Sequence, residues 1–321
     1  MKVFVTGGAG FIGSQYVRAM LAGAYAGYED AEVTVFDLLT YAGNTANLPM
    51  GHERLTFVRG DIRDADALDT WLPGHDVVVH FAAESHVDRS LTGAEAFVST
   101  NVLGTQLLLD ACVRHEVSTV LYVSTDEVYG SIEQGSWDEQ EPLLPNSPYS
   151  ASKAAGDLLA RAAWRSHGLD VRITRCSNNY GPYQNTEKLI PLFITNLLRG
   201  RPVPLYGDGR NVREWLHVED HCAALQLVLT KGAPGEIYNI GSGVEATNIS
   251  IARRLVELCE ADPALIQRVA DRKAHDLRYS LDIGKITGLG FSPSIGFEEG
   301  LADTVAWYRS HQDWWRTADG G

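Results

Sequence analysis

A chain of 321 residues with 45% hydrophobic content carries enough apolar side chain for one large or two ordinary domains with buried cores. Its formal charge of −14 excludes a nucleic-acid partner, because no basic footprint exists to neutralise phosphates. No apolar run reads as reaching the roughly 18 residues of a membrane span, and the four scattered cysteines show no metal or disulfide spacing. A cytoplasmic protein with reduced thiols, no membrane partner and no metal is expected.

The chain opens on "MKVFVTGG", a strand with no basic leader before it. "KVFVTGGAGFIGSQYVRAMLAG" then reads as strand, glycine turn and helix, with Gly7, Gly10 and Gly13 spaced GxxGxxG. Such a turn lets backbone approach a pyrophosphate, which meets the free N–H groups of the helix N-terminus. A lone glycine triplet is weak, but here the required strand precedes it and the helix follows. "EVTVFD" is a second strand ending in Asp37, whose carboxylate suits an adenosine ribose diol and repels a 2′-phosphate. NAD is therefore expected rather than NADP. Asp37 lies farther along than the usual ~20 residues, with "AYAGYEDA" lengthening the connection. The plainer reading is a solvated acid at a strand end.

"LTFVRGDIRD" predicts a third strand ending at Asp61 and Ile62, placed to flank an adenine. "DVVVHFAAES" predicts a fourth, ending at Ala82 and Ala83, where small side chains leave room for a cofactor. Helices are predicted around 94–115 and 149–167, with a strand at 119–124 between them. Strands alternating with helices give the fold class: α/β, a Rossmann-type doubly wound parallel sheet, with ligands outside the strand C-termini. A smaller, discontinuous substrate domain is expected to follow. The boundaries read as 1–178, with 214–240 returning to the sheet, against 179–213 and 241–321.

Within "LYVSTDEVYG" (121–130) an apolar strand stops at four polar groups, Ser124, Thr125, Asp126 and Glu127. Apolar Val128 and Tyr129 follow at once, which suggests acids held in a cleft rather than a strand reaching solvent. "YSASK" places Tyr149 and Lys153 four apart, on one helix face. Tyrosine, with a pKa near 10, needs help to act as a base, and the lysine ammonium and a positive nicotinamide are expected to supply it. Thr125 or Ser124 can hydrogen-bond the same substrate oxygen. As an isolated surface pair Tyr-x-x-x-Lys would mean nothing; its weight comes from the glycine turn and the strand-end hydroxyls.

"TGGAGFIG" with "YSASK" resembles the extended short-chain dehydrogenase/reductase family. Within it, "LTYAGN", "AAESHVDRS", "STDEVYG", "RCSNNYGPYQ", "EKLIPL", "PLYGDGRNVREWLHVEDH" and "DRKAHDLRY" resemble the dTDP-glucose 4,6-dehydratase family across nearly the whole chain. The sequence departs from the pattern at Ala274, where glycine is expected. The resemblance implies catalytic roles for Thr125, Asp126, Glu127, Tyr149 and Lys153. It implies NAD contacts from Gly7, Gly10, Phe11, Ile12, Gly13, Asp37, Leu38, Thr40, Asp61, Ile62, Phe81, Ala82, Ala83, Thr100, Ser124, Tyr149, Lys153 and Asn178. It implies a nucleotide-sugar pocket from Ser85, His86, Thr125, Asn178, Glu187, Lys188, Leu189, Pro204, Tyr206, Arg213, Asn248, Arg272, His275 and Tyr279. Arg213 and Lys188 bring positive charge suited to a diphosphate, although a surface ion pair is the bland reading of Arg213. The resemblance also implies that the two long helices pair with a twin subunit in a four-helix bundle.

The expected chemistry of dTDP-glucose is oxidation at C4 with Tyr149 as base, then loss of water with Glu127 taking the C5 proton and Asp126 protonating the C6 hydroxyl. Hydride then returns to C6. Elimination needs one acid charged and one neutral, a split that a semi-buried pair can produce. A nucleotide-sugar 4-epimerase would leave both acids without work. A GDP- or CDP-sugar dehydratase would differ only in the base pocket, and an NAD-sensing regulator would bind NAD without turnover. His217 and His221 sit four apart but lack a third ligand in register, so a structural role is expected. Trp307, Tyr308, Trp314 and Trp315 are expected to pack a terminal helix.

Overall fold

The computed structural model describes residues 1–271 and 275–316. Seven parallel strands form the main sheet: β1 (Lys2–Thr6), β2 (Glu32–Asp37), β3 (Leu55–Arg59), β4 (Val77–His80), β5 (Thr119–Thr125), β6 (Val171–Cys176) and, after three strands outside it, β10 (Ile237–Ile240). Their order is β3-β2-β1-β4-β5-β6-β10, which reverses at β1/β4 and makes the fold doubly wound. Alternate side chains of each strand enter different cores. Val3 and Val5 join one apolar cluster with the helix Phe11–Leu21, and Phe4 joins the other with Leu108 and Tyr122.

The remaining strands are β7 (Asn178–Tyr180), β8 (Val203–Tyr206), β9 (Val212–His217), β11 (Glu245–Thr247) and β12 (Ile266–Val269). β9 lies between β7 and β11, and β8 pairs with β12. They pack with helices Leu189–Leu198, Asn248–Cys259 and Phe297–Ser310 around a third cluster. Tyr308 and Trp315 are fully buried there, and Trp307 and Trp314 close around the Tyr183 ring.

Three elements differ from expectation. β3 and β4 stop at Arg59 and His80, so Asp61, Ile62, Ala82 and Ala83 occupy the turns beyond them. After β3 the backbone runs against the Phe36 ring, where any side chain at Gly60 would overlap it. The helix near 94–115 is Glu95–Arg114, and its stretch Val98–Gly104 is a wide π-turn. Contrary to the reading above, Glu95–Arg114 is long and apolar enough, by length and composition, to cross a membrane. Its apolar residues divide between two faces: Phe97, Leu108 and Leu109 enter the protein, while Val98 and Leu103 face outward.

The four cysteines are free. His217 accepts the Glu219 N–H as N-cap of the helix Val218–Lys231. His221 lies in that helix, fully buried, and burial pushes its imidazole down to about 3. Arg272 and Ala274 lie outside the described residues.

Candidate active site

The glycine turn follows β1 directly. Gly7 takes a left-handed φ of 68°, and a Cβ there would lie 2.5 Å from the Ala82 nitrogen. A Cβ on Gly13 would overlap the Gly7 carbonyl, so both glycines are required by the fold itself. Gly10 differs: a Cβ there would meet only the Gly7 oxygen, at 3.3 Å. Gly10 is also the N-cap of the first helix, with no side-chain cap and no acid in the first turn. Its bare Cα therefore keeps a cradle open in front of unclaimed backbone N–H groups.

That cradle is one end of a cavity of about 490 Å³ along the strand C-termini. Every predicted cofactor residue lines it. Asp37 is held at the rim by N–H donors from Ala9 at 2.9 Å and Leu39 at 2.8 Å, and burial raises its pKa. The cavity also exposes residues that the pattern did not single out, among them Tyr41, Arg63, Cys176, Asn179 and Gln184. Tyr41 stands in "LTYAGN", where an aromatic side chain among turn residues was the available signal.

At the other end stand the proposed reacting groups. The helix Pro148–His167 starts at a capping box in which Ser147 and Ser150 satisfy each other's backbone, with Pro148 at N1. This fixes Tyr149 in its first turn. Tyr149 is buried. Burial pushes its phenol well up, the Glu127 charge adds to that, and a hydrogen bond with Thr125 draws it back. Lys153 does not offset the rise as expected. Its ammonium donates to the Val123 carbonyl at 2.7 Å, lies over the Tyr122 ring, and is itself pushed down to about 8 by burial. Desolvation outweighs the lysine because the ammonium is directed at backbone.

β5 ends in Thr125, which N-caps a single 3₁₀ turn, Asp126–Tyr129, by accepting the Glu127 N–H. The Asp126 carboxyl is buried, with Oδ1 against the Thr125 hydroxyl and Oδ2 without a partner. Burial first, then the charges of Glu127 and Glu214, hold its pKa well above the carboxylate range. Glu214 is itself fixed by N–H groups of Ser242, Gly243 and Leu281. The two acids are thus unlike: burial and neighbouring charge favour the protonated form of Asp126, while Glu127 reaches the space outside.

Glu127 lines both the main cavity and a second one of about 140 Å³. His86, Asn178, Glu187 and Lys188 are likewise shared, and Arg213, His275 and Tyr279 complete the second cavity with Val87, Asp88, Ser147 and Asp276. Arg213 is buried, not a surface ion pair: it donates to the carbonyls of Val212 and Asp276 and stacks on Tyr279 at 4.3 Å. Lys188 donates to the Ser85 carbonyl at 2.7 Å, and Glu187 pairs with Arg89. Leu189, Pro204, Tyr206 and Asn248 lie outside both cavities. Leu189 packs on the third cluster, Pro204 and Tyr206 lie in β8, the Tyr206 ring edge-on to His275, and Asn248 starts its own helix.

The sheet, the glycine turn and the buried Tyr-Lys pair define the extended short-chain dehydrogenase/reductase class. A UDP-glucose 4-epimerase from Thermus thermophilus, solved with NAD, superposes with a TM-score of 0.89 at 33% identity, covering 97% of this chain and 100% of that one. A family model described as GDP-mannose 4,6 dehydratase matches residues 4–304. A dTDP-glucose 4,6-dehydratase from Streptomyces niveus is 57% identical over 318 residues, covering 98% of this chain and 95% of the relative. DesIV, a dTDP-glucose 4,6-dehydratase from Streptomyces venezuelae solved with NAD and dTDP bound, superposes with a TM-score of 0.98 at 60% identity, over 99% of this chain and 100% of that one. The chain belongs to the dTDP-glucose 4,6-dehydratase family.

Proposed function

We propose that the protein is a hydro-lyase that converts dTDP-glucose to dTDP-4-keto-6-deoxyglucose. The observation that carries this reading is the unlike acid pair: a buried Asp126, whose surroundings favour the protonated form, beside a Glu127 that faces both cavities. The open cradle at Gly10, the Asp37 rim and the unpartnered hydroxyl of Ser124 fit NAD in the larger cavity. Bound NAD+ would supply a hydride acceptor for C4 and a hydride donor back to C6, so the conversion would carry no net redox change.

The chain's own groups move the protons. Tyr149, hydrogen-bonded to Thr125, is the base for the C4 hydroxyl proton; it must first lose its own proton, which the positive nicotinamide of bound NAD+ would favour against the rise that burial causes. The resulting ketone makes the C5 proton acidic, and Glu127 removes it. Asp126 donates its proton to the C6 hydroxyl, which departs as water, and a proton later returns to C5. Buried Arg213 and half-buried Lys188, beside the smaller cavity, suit the diphosphate, since an anion there finds fixed positive charge inside an acidic protein.

In this reading the seven-stranded sheet holds the cofactor, and segments 179–213 and 241–321 hold the nucleotide sugar. The outward Leu91, Val98, Leu103 and Leu158 on neighbouring helices suit pairing with a second copy as a four-helix bundle. Free thiols suit a reducing cytoplasm.

The test is incubation with dTDP-glucose, following the alkaline absorbance of the 4-keto-6-deoxy product. A variant carrying Asp126→Asn and Glu127→Gln should still oxidise C4 transiently while losing water elimination. Product at near-native rate from that variant, or activity on UDP-galactose with none on dTDP-glucose, would sink the reading.

A further inference from the structure

The 3₁₀ turn that carries both acids is only four residues long, and its N-cap bond is a long 3.3 Å. Single 3₁₀ turns have poor hydrogen-bond geometry and little stability of their own. Something outside the turn must fix its position. Its last residue, Tyr129, lines neither cavity, yet both its hydroxyl and its ring are anchored. Its hydroxyl accepts from Arg175 Nη1 at 2.7 Å and donates to Asn239 Oδ1 at 2.8 Å. Its ring stacks on Trp137 with centroids 5.3 Å apart and planes within 19°, and the Arg175 guanidinium lies 4.7 Å from its centroid.

Each anchor is itself fixed to a different part of the frame. Arg175 belongs to β6 and forms a buried pair with Asp157 at 2.8 Å, one turn beyond Lys153. Asn239 belongs to β10 and donates to the Trp137 carbonyl. Trp137 bridges to Leu281 and lies near the ring of Tyr279, which lines the smaller cavity. Just past the turn, Gly130 takes φ 89°, and a Cβ there would overlap the Leu144 carbonyl, so the chain cannot shift in that direction either.

We propose that Tyr129, clamped by Arg175, Asn239 and Trp137, is a positioning residue that sets Asp126 and Glu127 for water elimination and leaves the preceding oxidation almost untouched. The selectivity follows from separate anchoring: the clamp meets the helix of Tyr149 and Lys153 beyond both residues, at Ala154 and Asp157. Tyr149 and Lys153 are fixed by the Ser147–Ser150 capping box, by the Asn101–Ser152 bond at 2.8 Å and by the Lys153–Val123 bond, none of which involves Tyr129. A displacement near 1 Å at a proton-transferring group costs on the order of 10²-fold in rate.

This inference rests on the dehydratase reading, and the test separates the two. In single-turnover experiments with dTDP-glucose, Tyr129→Phe keeps the ring and drops the hydroxyl. Cofactor reduction, followed by absorbance, should stay within about threefold of native. Product formation and solvent-deuterium incorporation at C5 should slow tenfold or more, so that reduced cofactor accumulates. Trp137→Leu should move the same way, while Trp137→Phe, which keeps a stacking ring, should restore the native partition. Equal slowing of both steps, or no change in either, overturns the positioning role. Should Tyr129→Phe fail to fold, the Trp137 pair decides on the same criterion. Undiminished elimination by Glu127→Gln would instead defeat the dehydratase reading itself.

Discussion

Replacing Asp126 by Asn should make the protein more stable and less active at the same time, and the gain should depend on pH in a defined sense. The carboxyl is buried beside Glu127 and Glu214, and its pKa stands well above the ordinary value. In the unfolded chain an aspartate ionises near pH ~4. Between that pH and the raised folded value, the folded state holds one proton more than the unfolded state. Stability of the native protein therefore falls as pH rises through this window, by up to about 1.4 kcal/mol per pH unit. Asparagine matches the neutral acid in shape and does not titrate, so the Asp126→Asn variant lacks this loss. Denaturant unfolding of both proteins at pH 5, 6, 7 and 8, with cofactor removed, should give curves that diverge in favour of the variant as pH rises. Elimination should drop by about 10²–10⁴-fold, the usual weight of a general acid. Parallel stability profiles across pH 5 to 8 would show that Asp126 is equally charged in both states, and the assignment of the neutral acid would fall with them.

Two further outcomes follow from geometry. Gly10→Ala adds a Cβ whose nearest protein atom is 3.3 Å away, so stability of the cofactor-free chain should change by no more than about 1 kcal/mol, the range of a cap substitution. NAD affinity by titration calorimetry should nonetheless weaken at least tenfold; undiminished affinity would mean that the pyrophosphate lies elsewhere than the cradle. Charging the outward faces with Leu103→Asp and Leu158→Asp, at positions 52% and 59% exposed, should leave the monomer folded but yield a single-subunit mass by light scattering. A persistent dimer would mean that these helices are not the contact.

The order of strands and helices was legible because parallel strands buried on both faces read as apolar runs, as in "VVVH" and "TVLYV". The glycine turn was legible because its spacing answers a geometric need. Less legible were features set by distant partners. Nothing near Asp126 in the sequence announces Glu214, whose charge helps keep it neutral, and nothing near Tyr129 announces Asn239, 110 positions away. The phenol of Tyr149 was expected to be lowered by its neighbour on the helix. The fold instead turns the Lys153 ammonium to the Val123 carbonyl, and burial decides the direction. The π-turn at Val98–Gly104 escaped because a stretch that shifts register by one residue blurs the 3.6 period used to find helices.

That wide turn has a consequence for how such chains diverge. It brings Thr100 to the cavity wall and Asn101 onto the backbone of Glu84, within a helix whose outer side shows Val98 and Leu103. A π-turn closes its hydrogen bonds one residue later than an α-helix, so the number of residues in this stretch sets which side chains face the cavity and which face outward. A single codon lost or gained at this point would therefore redraw the wall of the ligand chamber and the outer face together, while the sheet beneath stays as it is.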